Sequence, residues 1–328
     1  MFDQQVYVDR RARLLEQVDS GVIVLLGNDD SPMNCLDNAY PFRQDSSFLY
    51  FFGLDEPGLV GVLDVDAQKQ TVFGDDVTIE DVIWMGPQPS LASKCEGIGI
   101  SSTCPKNRLG VALKDALGQG RRIHLLPTYR AEHTVRIQQL LGIDNVQGPS
   151  AELIRAVVTQ RSVKSAEEIE QIQVAIDTTR EMQVTAMRMS RPGVYEREVV
   201  SAMEAITRTK DVHDMECLGE EYVGYTDTIK RNPAFGWKSL RLARALEPGF
   251  VVTVEPGIYF IPELIKRWSA ERRCEQYIDY AHLRKYIGFG GARIEDDILV
   301  TYNGRRVLSD EIPRTITDVE AECQASKV

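Results

Sequence analysis

Two glutamates stand where apolar residues would be expected. Glu255 lies in the run Val251-Val252-Thr253-Val254-Glu255-Pro256-Gly257-Ile258-Tyr259, and Glu295 lies in Gly290-Gly291-Ala292-Arg293-Ile294-Glu295-Asp296-Asp297-Ile298-Leu299-Val300. Both runs are β-branched and apolar, the composition of strands. A carboxylate in such a run is costly to bury unless a cation or a hydrogen-bond donor meets it. Two of them, 40 residues apart, suggest adjacent strands that aim two acids at one point. Hard oxygen ligands of this kind suit manganese, magnesium or zinc. The same residues also permit a plainer arrangement, with Glu255 at a strand end before the Pro-Gly turn and Glu295 paired with Arg293.

The rest of the chain must supply the scaffold for these strands. At 328 residues it is long enough for two domains. In the first part, residues 7–18 predict an amphipathic helix with Leu14, Leu15 and Val18 inward and Arg10, Arg11 and Arg13 on another side. Gly21 to Gly27 predicts a buried strand, Phe48 to Gly53 a second, and Leu59–Val65 with Gln70–Phe73 a pair joined by a polar turn. A further strand is expected over 121–127. Strands interleaved with helices make the first 150 residues an α/β domain. Ala151 to Val158 is helical, and 161–164 is a polar connector. Ser165 then caps a long helix, with Glu168 completing a capping box. Ile169, Ile172, Ile176, Thr179, Met182, Ala186 and Met189 form its inward stripe. A second helix runs from Tyr195 to about Ile206, and one more lies near 261–273.

Charge and cysteine usage narrow the setting. The net charge of −11 divides as −7 over 1–160 and −4 over 161–328. Neither part carries a basic block, which argues against nucleic acid and anionic membrane as partners. The six cysteines show no C-x-x-C spacing and read as free thiols in a reducing cytoplasm. No stretch is long and apolar enough to span a bilayer, and the start has no secretory signal pattern.

Several segments together resemble one family, the aminopeptidase P (Xaa-Pro aminopeptidase) branch of the pita-bread metallopeptidases, relatives of prolidase and creatinase. Tyr40-Pro41-Phe42-Arg43-Gln44-Asp45-Ser46-Ser47-Phe48-Leu49-Tyr50 with Gly53 is similar to the hallmark of its N-terminal domain. Arg161-Ser162-Val163-Lys164-Ser165 with Glu167-Glu168-Ile169 resembles the junction to its catalytic domain. Asp211-Val212-His213-Asp214, Thr253 to Tyr259 and Arg293-Ile294-Glu295-Asp296 resemble its active-site segments. The resemblance implies an α/β N-terminal domain of the creatinase and aminopeptidase P type over 1–160, and an α+β pita-bread metallopeptidase domain over 161–328. It implies a metal-dependent hydrolase that releases the residue before a penultimate proline, with two manganese ions, or zinc or cobalt in their place. Glu255 and Glu295 then align with metal ligands, His213 with a histidine that contacts substrate, and Arg293 with an arginine that orients carboxylates. Proline-containing peptides, a homodimer and a cytoplasmic location complete the expectation.

The sequence also departs from the family. The pattern calls for two aspartates on a hairpin between the helix ending near Ile206 and the Asp211 motif, and for a histidine just before that motif. Residues 198–210 contain neither aspartate, and none of 209–212 is a histidine. The second domain is therefore expected to be incomplete, lacking its first metal-binding hairpin and three ligands. Two functions remain: a metal-dependent Xaa-Pro aminopeptidase, or a non-catalytic relative that acts only in binding or dimerisation.

Overall fold

In the computed structural model, residues 2–35, 38–79, 82–83, 86–142, 148–206, 219–233, 237 and 240–325 are described. The chain divides into two compact units, Met1–Arg161 with Val212–Ala245, and Ser162–Asp211 with Leu246–Val328.

The first unit is organised by β1 (Val22–Leu26), whose five residues are all buried. Its side chains alternate between two cores, Ile23 and Leu25 into one, Val22, Val24 and Leu26 into the other, as the two-residue period of a strand requires. β2 (Pro32–Cys35) and β3 (Asn38–Ala39) form a separate small ribbon. β4 (Val60–Asp64) pairs antiparallel with β1 and with β5 (Lys69–Phe73). β6 (Thr103–Cys104) and β7 (Ile123–His124) add in parallel at the two edges, giving the order β6-β5-β4-β1-β7. Helices Gln4–Glu16, Ser46–Phe52 and Ala151–Ser162 supply one core, and Leu109–Gly118 and Ala131–Leu141 the other.

Two expectations for this unit are overturned. Phe48 to Gly53 is not a strand; residues Ser46–Phe52 are an α-helix. Asp45 caps it by accepting from the backbone N–H groups of Ser47 and Phe48, both at 2.9 Å, and Gly53 ends it in the left-handed region at φ 64°. Phe48, Phe51 and Phe52 are fully buried, and their i, i+3, i+4 spacing is helical. Aromatic richness suggested a strand, but no two-residue alternation supported it. The second correction concerns Arg10 and Arg11, which do not face solvent: they are only 2% and 0% exposed. Tyr7, Arg10, Arg11, Leu14 and Leu15 occupy one helical face. The arginines lie within it because neighbouring chain presents carbonyls there that need donors. Arg11 donates to the Phe51 and Ile98 carbonyls at 2.8 and 2.6 Å and to Gln70 Oε1 at 2.6 Å. Arg10 donates to the Tyr50 carbonyl at 2.9 Å and lies 3.9 Å over the Tyr50 ring. Burial lowers the Arg11 pKa to about 10, a shift the neighbouring Cys95 partly opposes.

The second unit is built around the long helix Ala166–Met189, begun by the expected capping box. Ser165 Oγ accepts from the Glu168 N–H at 3.3 Å, and Glu168 Oε2 accepts from the Ser165 N–H at 3.0 Å. The helix packs on Glu196–Ile206 and Ile316–Ala325. Of its predicted inward stripe only Ile176 is buried; Ile169, Ile172, Met182, Ala186 and Met189 are half-buried and Thr179 is exposed. β8 (Val251–Val254), β11 (Asp296–Thr301) and β12 (Gly304–Val307) form an antiparallel sheet in the order β12-β11-β8. β9 (Gly257–Tyr259) pairs with β10 (Gly291–Arg293). Among the described residues, Ile176, Phe250, Ile265 and Leu308 are the buried apolar side chains of this unit. That is a far smaller core than the first unit has.

Candidate functional site

The two glutamates meet through the register of two short ladders. β8 pairs with β11 as Val254↔Asp296 and Thr253↔Asp297, and β9 pairs with β10 as Gly257↔Arg293 and Tyr259↔Gly291. Both pairings follow one antiparallel register, and the Ile294 N–H, donating to the Pro256 carbonyl at 3.1 Å, carries it across the gap between them. That register sets Glu255 opposite Glu295. Cross-strand partners share a face, and residues two apart along a strand share it too. One column therefore holds Thr253 with Asp297, Glu255 with Glu295, Gly257 with Arg293, and Tyr259. The arrangement has elements of both sequence readings: the acids are opposed across adjacent strands, while Glu255 follows the end of β8 before Pro256 and Glu295 pairs with Arg293 at 2.8 Å.

Arg293 occupies the middle of the column. Its Nη1 lies 3.1 Å from Glu255 Oε2 and its Nη2 lies 2.8 Å from Glu295 Oε2. Gly257, its cross-strand partner, has no side chain to compete for this space. The Glu295 charge raises the Arg293 pKa most; desolvation opposes it, and Tyr259 and Glu255 add smaller rises. The other oxygen of Glu255 accepts from Thr253 Oγ1 at 2.6 Å. Arg293 and both glutamates remain exposed, at 47%, 41% and 41% of their side chains, so solvent screens these ion pairs.

Beside them, Asp297 is half-buried, and burial raises its pKa, with the charges of Asp296 and Glu255 adding to the rise. Asp296 points to the other face. Its Oδ1 accepts from Ser309 Oγ at 2.7 Å and from Arg314 Nη1 at 2.6 Å, tying β11 to the segment after β12.

Of the four residues singled out from the sequence, the structure brings Glu255, Glu295 and Arg293 together, and His213 lies outside the described residues. The sequence reading missed Thr253, Tyr259 and Asp297 as members of the site, although stepping by two from Glu255 and Glu295 reaches all three. Nothing in the sequence pointed to Arg314, which lies 18 residues from its partner Asp296.

Among the described residues, the donor set falls short of a catalytic metal centre. Such sites present three protein ligands around an open position, and among the described residues no group of three or more His, Cys, Asp or Glu side chains is placed to hold a metal ion. The two carboxylates share one guanidinium through their ε2 oxygens, so a cation held there would compete with Arg293.

Comparison with known proteins places these units among relatives. Residues 7–124 match the model of the aminopeptidase P N-terminal domain, and residues 152–302 match metallopeptidase family M24. The Xaa-Pro dipeptidase of Homo sapiens is 42% identical over 115 residues, 35% of this chain and 22% of the relative. A probable Xaa-Pro aminopeptidase of Uncinocarpus reesii is 44% identical over 105 residues, 30% of this chain and again 22% of the relative. The chain thus spans about a fifth of the length of the curated relatives it matches. In fold, the low-pH form of aminopeptidase P from E. coli superposes with a TM-score of 0.72 at 19% identity, covering 100% of this chain and 99% of that one. The Pseudomonas aeruginosa aminopeptidase PepP gives 0.71 at 19% identity, covering 99% of each. At that identity the likeness speaks for the fold: an aminopeptidase P N-terminal domain followed by a pita-bread domain.

Proposed function

The chain belongs to the aminopeptidase P family of metallopeptidases, and on that premise we propose that it is directed at peptides with proline in the second position but hydrolyses them at most weakly. The observation that carries this reading is Arg293, placed between Glu255 and Glu295 at 3.1 and 2.8 Å. It supplies internally the positive charge that a divalent cation would otherwise supply. Manganese, or zinc or cobalt in its place, would have to be held by Glu255 and Glu295 at the expense of these ion pairs. When bound in such enzymes, the metal activates water and polarises the scissile carbonyl. The shortfall behind this reading is the one expected from the sequence, a domain over 161–328 without its first metal-binding hairpin. His213 would be the substrate-contacting histidine.

The opposing reading, an active Xaa-Pro aminopeptidase, is favoured by the register that keeps the two glutamates opposed. Metal analysis after dialysis separates the two. Well under one tightly bound manganese or zinc per chain is expected, with near-background cleavage of an Arg-Pro-Pro peptide in added manganese. Two metals per chain, with cleavage that Glu255→Gln abolishes, would establish the hydrolase instead.

A cytoplasmic homodimer is the setting we propose. Among the described residues, Cys35, Cys95, Cys104 and Cys274 are free thiols, in keeping with a reducing compartment. Among the described residues no helix is long and apolar enough to cross a membrane. β8 ends its sheet, and an open edge is a template for a second chain.

A further inference from the structure

The strand run through β8 and β9 is bonded along one side only. On that side the Phe260 N–H donates to the Gly290 carbonyl at 2.8 Å, the Ile294 N–H to the Pro256 carbonyl at 3.1 Å and the Val300 N–H to the Phe250 carbonyl at 2.8 Å. Successive residues of a strand turn their N–H and C=O groups to opposite sides. Thr253, Glu255, Gly257 and Tyr259 therefore turn theirs to the open edge, and among the described residues these groups have no backbone partner. Pro256, which has no N–H to offer, faces inward and leaves the edge uninterrupted. Sheet edges are commonly guarded by lysine, proline or a bulge, and the outward residues from Thr253 to Tyr259 include neither lysine nor proline. Their one charge is Glu255, two places from a glycine. The face opposite the glutamates is apolar, with Val254 and Ile258 50% and 68% exposed.

We propose that this edge pairs antiparallel with the same edge of a second copy of the chain, about a two-fold axis at Pro256. The proposal rests on the homodimer setting above and assigns its surface. In this register Thr253 lies opposite the partner's Tyr259, Val254 opposite the partner's Ile258 and Glu255 opposite the partner's Gly257. Residues opposite each other share a face, so apolar meets apolar on one side, and on the other each acid meets a residue without a side chain. Strands lie about 4.8 Å apart, which puts the partner's Arg293, one strand beyond the partner's Gly257, about 10 Å from the Glu255 backbone. Two long side chains span that gap, so each guanidinium also serves the other copy's glutamate. An axis at Glu255 would set the two glutamates directly opposite, which is destabilising, and an axis at Gly257 would take Val254 off Ile258. Glu255, Glu295 and Asp297 outnumber Arg293 in each copy, and the exposure of both glutamates to solvent screens the repulsion that results. A second copy is favoured over a foreign strand because it supplies a matching residue at each of these positions. One added strand buries less than the about 1,200–2,000 Å² of a standard interface, so the dimer is concentration-dependent.

The test is sedimentation equilibrium of the full chain over a range of concentrations. Val254→Lys with Ile258→Lys, and Val254→Glu with Ile258→Glu, each set like charges opposite one another across the axis. Either protein alone should dimerise about tenfold more weakly than the parent, and an equimolar mixture of the two should recover the parent's affinity. Both side chains are exposed, so neither pair of changes disturbs the core. As a second readout, Val254→Cys and Ile258→Cys proteins oxidised together should give a cross-linked dimer beyond the level that the parent or either variant gives alone. Partners of this kind, which exchange no backbone hydrogen bonds, have Cα atoms about 4.5 Å apart, within the span of a disulfide. A parent that stays monomeric at every concentration would remove the homodimer setting and this inference with it. A parent dimer whose affinity is unchanged in the charged variants, or a mixture that gives no added cross-link, would overturn the edge pairing alone and leave the homodimer to another surface.

Discussion

At the residue scale, the site is defined by which charges already have partners. Glu255 and Glu295 share Arg293, whereas Asp297 has burial and neighbouring carboxylates against it. Its pKa is raised in the folded chain, so the folded state binds that proton more tightly than the unfolded state does. Ionisation of Asp297 therefore subtracts stability at neutral pH, and the deficit disappears as pH falls through the folded pKa to the unfolded one. Asp297→Asn should raise the thermal midpoint at pH 7, with the gain shrinking toward acid. An equal or opposite effect at pH 7 would show that the carboxylate has a favourable partner. The buried Arg11 predicts the reverse. Removing its guanidinium in Arg11→Met strands two backbone carbonyls and Gln70, and should cost about 3 kcal/mol or more in denaturant titrations, since hydrogen bonds to charged groups are worth about 1.5–3 kcal/mol each.

At the scale of elements, the sequence was legible where one pattern acted alone. The buried apolar run Val22–Leu26, the turn between β4 and β5 and the Ser165–Glu168 capping box all took the forms expected of them. It misled where two signals competed. Phe48 to Phe52 carries strand-favouring side chains, but Asp45 before it and Gly53 after it are helix punctuation, and the caps won. Asp45→Ala should therefore cost about 1 kcal/mol. Gly53→Ala should cost more, because at φ 64° a Cβ would also collide with the Tyr7 ring. If the two substitutions prove equally mild by chemical denaturation, the helix owes its place to its three phenylalanines rather than to its ends. The arginines of the first helix misled for a different reason. Their charge suggested a side apart from Leu14, whereas the i, i+3 and i, i+4 spacing puts Arg10 and Arg11 beside it, and only the fold shows which carbonyls lie opposite. In the glutamate column, composition and spacing allowed the opposed acids as one of two arrangements, while the contacts of Arg314 and Ser309 with Asp296 required tertiary structure.

At the scale of the molecule, burial is divided unevenly between the units. The first has a core on each face of its sheet; the second leaves β9 and β10 exposed along their whole length. Apolar burial contributes about 25 cal/mol per Å², so the second unit should yield first. Thermal or denaturant unfolding should proceed in two steps, with limited proteolysis cutting the second unit while the first survives. A fragment ending at Gln160 should melt in one cooperative transition. A single transition for the full chain, with simultaneous loss of both units, would mean that they stabilise each other strongly.

The register shared by the two ladders also sets which changes in chain length this protein can tolerate. Between Phe260 and Gly290 the chain leaves the ribbon and returns to it, and residues gained or lost there need not shift either strand. A single residue inserted between Glu255 and Gly257 would instead turn the following side chains to the opposite face and part Arg293 from one of its glutamates. The long excursion is thus open to insertion and deletion, while the few residues beside the acids are held to their exact number.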